Sequence, residues 1–443
     1  MSSLIESKFR LDDPPYVSYN QRKNDYIRIA MNPGSSGRLN TGGDLIFEVD
    51  NQQSYLYLPD SFLHCEYSLY SDAAFTTALP TADNITLENN FFPRLFTQMR
   101  LDVSTQNIET ISDSPGIIDS MLRFVTIGEN NKMHEIEGWF PDNHTGIIVD
   151  DLDEATGTAP TKAEYKTVID FINKTQNSGY KERRDFNRKN NQTVNWSLSP
   201  LFGYLDYNKV SCQLKFKLII HRTVNNELIF YGKTGKKAYL KIERLEWWIK
   251  HITPSLEVET VITKRLNSNK PIPVSFMKRI ASSVTFSEQR FNWHFTRTSN
   301  TPRYMLLAFQ KNETPNFEKN NSLFHFETIR SLQISLNQTR YPIDPLKFDN
   351  ANNQFMEGYD AYRNLCEAFG VNPQLTPNDW KNLFPIFCFD LSAQSEDIIK
   401  NGCDVTINIE KNNSTTSLMA YGLLLEDVEY SIEILNGRMV RIG

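Results

Sequence analysis

Four side chains in the first half of the chain, His134, Glu135, Glu137 and His144, are of the types that hold a divalent metal. Zinc sites ask for imidazole, thiolate and carboxylate at set spacings, such as HExxH along one helix face. The spacing here fits neither that motif nor any other zinc pattern, so these residues read as solvated side chains. Asp150, Asp151, Asp153 and Glu154 form an acidic run. A calcium loop needs alternate carboxylates, a central glycine and a distant glutamate, whereas these charges are adjacent and Gly157 is misplaced. The basic run KERRDFNRK (181–189) has the charge to touch phosphate, but Glu182 and Asp185 interrupt it, and it reads as loop charge. Gly-rich phosphate loops, GxSxG elbows and CxxC pairs are absent. His64, His221, His251, His294 and His325 lie in or beside strand patterns and read as structural. Trp247-Trp248 is no cofactor stack by itself; alternation turns one ring inward and the other out, toward a neighbouring subunit. The expectation is therefore no enzyme and no cofactor, with no catalytic, cofactor-binding or metal residue to assign.

Composition sets the frame. The 443 residues allow two domains of roughly 200 residues each. Abundant Phe (28) and Tyr (19), with little Ala, favour sheet over helix. A net charge of −6 gives no reason to expect nucleic acid or anionic membrane as the main partner. Cys65, Cys212, Cys366, Cys388 and Cys403 are odd in number and scattered, and read as buried free thiols in a reducing compartment. MSSLIESKFRLDDPP has no apolar core, and no run approaches 18 apolar residues, so neither signal peptide nor membrane span is expected. The Asn-x-Ser/Thr triplets at Asn84, Asn143, Asn173 and Asn337 then reflect Asn richness.

The elements that would position any site repeat along the chain. Ala238-Tyr239 and LKIERLEWWIK (240–250) return as Ala420-Tyr421, an extra Gly422, and LLLEDVEYSIE (423–433), with Leu240/Leu423, Glu243/Glu426, Glu246/Glu429 and Ile249/Ile432 identical. In both copies the apolar alternation changes phase in mid-strand, which predicts a β-bulge near Glu243-Arg244 and near Glu426-Asp427. ENNFFPRLFTQMRLDVSTQN (88–107) returns as KNNSLFHFETIRSLQISLNQ (319–338), offset by 231. A helix is predicted after each, over PGIIDSMLRFVTIG (115–128) and over the segment from Phe355 to Phe369 ahead of Gly370. PLFGY (200–204) is echoed by PIFCF (385–389), and CQLKFKLII (212–220) by CDVTINI (403–409). Alternation points Leu214, Phe216, Leu218 and Ile220 into a core. LIFEV (45–49), YLYL (55–58) and FLHCEYSLY (62–70) read as three further strands. One β unit thus occurs twice, as sandwiches or barrels. The first copy carries about 45 extra residues, a hydrophilic insertion over roughly 130–190 expected on the surface, and 251–274 joins the copies.

Several blocks carry a family resemblance: LENNFFPRLFTQMRLDVSTQNIE (87–109), SPLFGYLDYNKVSCQLKFKLIIHR (199–222), WWIKHITPSLEVE (247–259), TRYPIDPLKFDNANNQFMEGYDAYRNLCEAFG (339–370), FPIFCFDLSAQ (384–394) and LNGRMVRI (435–442). As a set, they resemble the double jelly-roll major capsid proteins of the adenovirus and tailless-phage lineage, nearest to the Polinton/Maverick and adintovirus types. The likeness spans most of 40–443. It implies an all-β chain of two consecutive eight-stranded jelly rolls with short helices in the loops. The corresponding domains are an arm over 1–25, a first roll over 26–252 and a second over 253–443. It further implies a virion protein forming homotrimeric, pseudo-hexagonal capsomers, with neighbouring capsomers, penton and minor capsid proteins as partners and no sequence-specific nucleic-acid binding. The segments 130–190 and 311–321 would then form the outer rim. Residues 1–25 or 436–443 would reach the shell interior, and contact with an internal membrane stays open. Two other readings stand beside it: a domesticated relative that no longer packages a genome, and a two-domain β-sandwich that binds or acts on glycans.

Overall fold

A computed structural model describes residues 21–50, 55–81, 83–128, 131–146, 177–187, 192–268, 270–394, 402–412, 416–433 and 438–441. Its framework is two sets of eight strands. The first comprises β1 (Gln21–Ala30), β2 (Gly43–Asp50), β3 (Tyr55–Tyr70), β4 (Phe96–Val103), β5 (Gln106–Ile111), β6 (Gln192–Ser197), β7 (Lys215–Arg222) and β8 (Tyr239–Pro254). The second comprises β9 (Ile272–Phe286), β10 (Arg290–Thr298), β11 (Thr301–Lys311), β12 (Ile329–Leu336), β13 (Thr339–Lys347), β14 (Phe387–Asp390), β15 (Cys403–Lys411) and β16 (Leu418–Glu433). Sheet orders are β1-β8-β3-β6 and β2-β7-β4-β5 in the first set, and β9-β16-β11-β14 and β10-β15-β12-β13 in the second. Adding eight to each label of the first set gives the second. Each set is a jelly roll, two facing antiparallel sheets closed by crossing connections.

Period-two burial explains most of these strands. In β7, Phe216, Leu218 and Ile220 are buried while Lys215 and His221 are exposed, and β15 repeats the pattern. The segments 55–58 and 62–70, expected as separate strands, are one sixteen-residue strand, β3, buried at every second residue apart from one slip at Asp60-Ser61. Helix α1 (Pro115–Thr126) follows β5, and α4 (Met356–Ala368) follows β13, as the sequence predicts. Helices α2 (Ser178–Asn187) and α5 (Pro377–Asn382) lie in the following loops, and α3 (Leu256–Asn267), capped by Ser255, joins the rolls. The expected domain boundaries at 25/26 and 252/253 fall inside β1 and β8.

The two predicted bulges have different outcomes. In β8 the pairing with β3 jumps from Ile242 to Arg244, leaving Glu243 unpaired, as expected. In the second roll β16 runs without a break against β9, and the irregularity sits on the facing strand at Arg303 of β11, between Pro302 and Tyr304. The apparent phase slip arises because both faces of β16 are buried between Tyr421 and Leu425. Glu426 keeps the inward phase and is held by Thr298 Oγ1 (2.6 Å) and Asn300 Nδ2. The PLFGY/PIFCF echo also differs: PIFCF runs into β14, whereas PLFGY forms the turn after β6.

Candidate functional site

The rolls meet along a seam rich in buried charge. At its centre Glu109 of β5 is fully buried, accepting the backbone N–H of Arg279 (2.9 Å) on β9 and of Tyr204 (3.0 Å) in the turn after β6. Burial pushes its carboxyl above the ordinary range, against the pull of the Arg279 guanidinium and the N–H donors. Arg279 donates through Nε to the Pro200 carbonyl (3.1 Å), and Ser283 Oγ donates to Asp113. The turn fits because residue 203 is glycine: a Cβ there would lie 1.9 Å from the Met277 carbonyl oxygen.

A second polar cluster holds the loop after β11. Asn321 N–H donates to Glu88 Oε1 (2.7 Å), and Arg94 Nη1 donates to the Asn321 carbonyl (3.1 Å). Asp142 accepts from Asn320 Nδ2 (3.1 Å), Ser322 Oγ (3.1 Å) and Arg183 Nη2 (2.8 Å). Burial raises the Glu88 carboxyl to about 7, outweighing the Arg94 charge. Segment 311–321, expected at the outer rim, is thus partly inside, with Phe317, Asn320 and Asn321 buried. The insertion is not all surface either: Trp139, Phe140, Tyr180 and Arg183 are buried. Arg183 belongs to the basic run read as loop charge. The acidic run at 150–154 lies outside the described residues.

Third, α1 is anchored from both sides. Asp119 Oδ2 accepts from Arg123 Nε (2.6 Å), Asn90 Nδ2 (2.7 Å) and Trp196 Nε1 (3.2 Å). From the second roll, Tyr362 OH donates to the Phe124 carbonyl (2.8 Å), and Gln374 Nε2 to the Arg123 carbonyl (3.1 Å). Glu137, a metal candidate by type, pairs with Arg123 (2.6 Å) and His134 (3.0 Å). Burial opposes its ionisation, but those two partners hold its carboxyl down at about 2. Among the described residues no group of three His, Cys, Asp or Glu side chains is placed to hold a metal ion. An apolar cavity of about 240 Å³ lies at the α3 end of the seam, lined by Tyr204, Tyr207, Cys212, Leu266, Val274 and Ile432.

The outer sheet faces differ in kind. On β2-β7-β4-β5 ion pairs cross the strands at Glu48–Lys217 and Asp50–Lys215, both 2.7 Å, beside a hydrogen bond between His221 Nδ1 and Asp44 (2.8 Å). The matching face of the second roll carries Arg290–Glu410 and Arg297–Asp404. On β9-β16-β11-β14, Gly422 faces Phe295 inside the roll, so Tyr421, Leu423 and Leu425 point outward, yet all three are buried. Helix α1 and the Arg94–Ser114 region lie against them. The corresponding face of the first roll is aromatic and partly exposed, with Tyr26 exposed and Phe62, His64 and Trp248 half-buried. Trp248 groups with Phe62 (5.5 Å), His64 (5.0 Å) and Tyr26 (6.3 Å) between ring centroids, and the Arg28 guanidinium sits 4.4 Å over its ring. Trp247 is wholly buried, as alternation required.

Twice-repeated sheet order is one signature; the sequence supplies another. The model of the double jelly roll-like domain family matches residues 146–429, well over half of the chain. The chain belongs to the double jelly roll-like family. Among solved structures this double jelly roll is similar to that of the Sputnik virophage, with TM-score 0.60 and 10% identity, covering 100% of this chain and 94% of that one. It is similar to the PBCV-1 virus capsid, with TM-score 0.55, 10% identity and 98% and 99% coverage. The mavirus major capsid protein gives TM-score 0.55, 9% identity and 99% and 93% coverage. At such identities the likeness is one of fold. Among curated proteins none matches the sequence.

Proposed function

We propose that this double jelly-roll chain is the major capsid protein of a virus particle, a shell component without catalysis. The observation that carries the reading is the full duplication: each strand of the first roll has its counterpart eight strands on, in the same sheet position. A chain with two like rolls gives a three-fold ring six similar sides, and cyclic closure makes that ring finite. The similar structures, virophage and virus capsid proteins, are matched over nearly their whole length, which supports the same use of the fold here. The finer parts belong to the proposal: homotrimeric capsomers tiling an icosahedral shell in the virion, contacts with penton and minor capsid proteins, and affinity to the Polinton/Maverick and adintovirus types. So does a division into an arm, a first roll ending with β8, and a second roll beginning after α3.

Electron microscopy of the purified full chain tests the reading. Six-sided particles with three-fold symmetry, or shells built of them, are expected. A field of single two-lobed particles at every concentration, with binding to arrayed glycans, would replace it by the glycan-binding alternative.

A further inference from the structure

One arginine at the seam is buried without a counter-ion. Arg94, just ahead of β4, is 7% exposed, and its guanidinium makes a single hydrogen bond, from Nη1 to the Asn321 carbonyl. Its Nε and Nη2 are closed to water and have no partner, and among the described residues no carboxylate forms an ion pair with it. Glu88 attracts it from further off, but burial holds that carboxyl at about 7, so the counter-charge is incomplete near neutral pH. A buried cation in this position is costly until something pairs with it. Arg94 lies in the wall of a cavity of about 390 Å³ between the rolls, together with Ser114, Gly116, Lys311, Asn312 and Tyr421. The first turn of α1 closes one side. A Cβ at residue 116 would lie 2.3 Å from Arg94 Cγ, so helix and arginine are in direct contact. Helix α1 starts at Pro115 without a side-chain cap, which leaves the positive end of its dipole uncompensated at the cavity.

We propose that this cavity is an oxyanion site, taking a phosphate group between Arg94, the first turn of α1 and the Lys311 ammonium. A small turn of the guanidinium toward the cavity brings Nε and Nη2, which bond nothing where they stand, onto two phosphate oxygens in the fork geometry that arginine offers. The helix N-terminus supplies a second positive pole. Lys311, exposed at the rim, supplies the third. The wall holds three cations, Arg94, Lys311 and Lys319, against two carboxylates that are already engaged. Asp113 accepts from Ser114 (3.2 Å) and Ser283, and Glu313 pairs with Lys319 (3.4 Å). Three converging poles suit a doubly charged group with at least three oxygens better than a carboxylate, which offers two oxygens and one charge. The volume leaves room for an ester substituent, so inorganic phosphate and a phosphomonoester share the chemistry. Helix α1 belongs to the first roll and Lys311 and Tyr421 to the second, so a bound phosphate ties the rolls together within one chain. The site does not depend on the capsomer reading.

The test titrates the full chain with inorganic phosphate at constant ionic strength, with chloride as the balancing ion, and follows phosphorus NMR line broadening and thermal melting. Wild type should bind phosphate saturably, and its Tm should rise with phosphate and not with chloride. Arg94→Lys keeps the charge and loses the fork, so affinity should fall by about 10-fold or more. Lys311→Glu, a change on the exposed rim, should also weaken binding by setting a negative charge at the cavity mouth. Adenosine monophosphate that displaces the phosphate would mark a phosphomonoester as a ligand of the site, and a failure to displace would mark the free ion. Circular dichroism shows whether the variants fold; should Arg94→Lys not fold, Lys311→Glu carries the comparison. A wild type with no saturable phosphate binding overturns the proposal. So do folded variants that bind phosphate as wild type does.

Discussion

Replacing Glu109 tests whether the seam is held as its geometry implies. Its two oxygens accept the backbone N–H groups of Arg279 and Tyr204, and its charge sits beside the Arg279 guanidinium in a site closed to water. Glu109→Ala strands two buried donors at about 1–3 kcal/mol each and removes a charge beside the Arg279 guanidinium, which keeps Asp206 at 3.7 Å. The loss should be on the order of 3–5 kcal/mol. Glu109→Gln keeps one carbonyl acceptor and most of the shape, so about 1–2 kcal/mol is expected. Denaturant unfolding followed by tryptophan fluorescence gives the size of the effect. Hydrogen exchange gives its place, because the Tyr204 and Arg279 amides should lose protection ahead of the strands. An alanine variant within about 0.5 kcal/mol of wild type, or one whose two amides stay protected, would show that Glu109 does not hold the seam.

Other outcomes follow from the same seam and cores. Gly203→Ala drives a methyl group into the Met277 carbonyl and should cost about 3 kcal/mol or more in the same unfolding assay. Glu88 has its folded-state carboxyl raised to about 7, so its contribution is fully present below the unfolded value near 4.5 and is lost as pH rises through 7. Stability should therefore fall between pH 5 and 8, and Glu88→Gln should flatten that slope in melts run across the range. Thiol titration of the native protein should label Cys212, the half-buried cysteine, ahead of the buried Cys65, Cys366, Cys388 and Cys403, which should react on unfolding. Glu426→Ala removes the acceptor shared by Thr298 and Asn300 and should cost about 1–3 kcal/mol by denaturant unfolding.

The alternating strands were legible in the sequence because period-two burial is written in single residues, as in Phe216, Leu218 and Ile220. The duplication was legible for the same reason, together with α1 and α4 at matching places. Three things were not. Burial on both faces of β16 mimics a bulge in sequence, since Leu423 and Leu425 face the first roll and Leu424 faces its own core. The seam charges look like any surface charges, because what buries Arg183, Glu88 or Glu109 lies far along the chain: Asp142 for the first, Asn321 for the second and Arg279 for the third. A usable signal was the aromatic company of the insertion, since Trp139 and Phe140 beside Asp142 argue against a fully solvated loop. The aromatic face needed the fold as well, because β1, β3 and β8 bring Tyr26, Phe62 and Trp248 together from distant stretches.

In the proposed capsomer one chain supplies two of the six sides of a ring. The mass of the full-length protein in dilute solution tests it most directly. A species at three times 51.3 kDa that persists to nanomolar concentration is expected. A species at 51.3 kDa, unchanged from nanomolar to micromolar concentration, would contradict it.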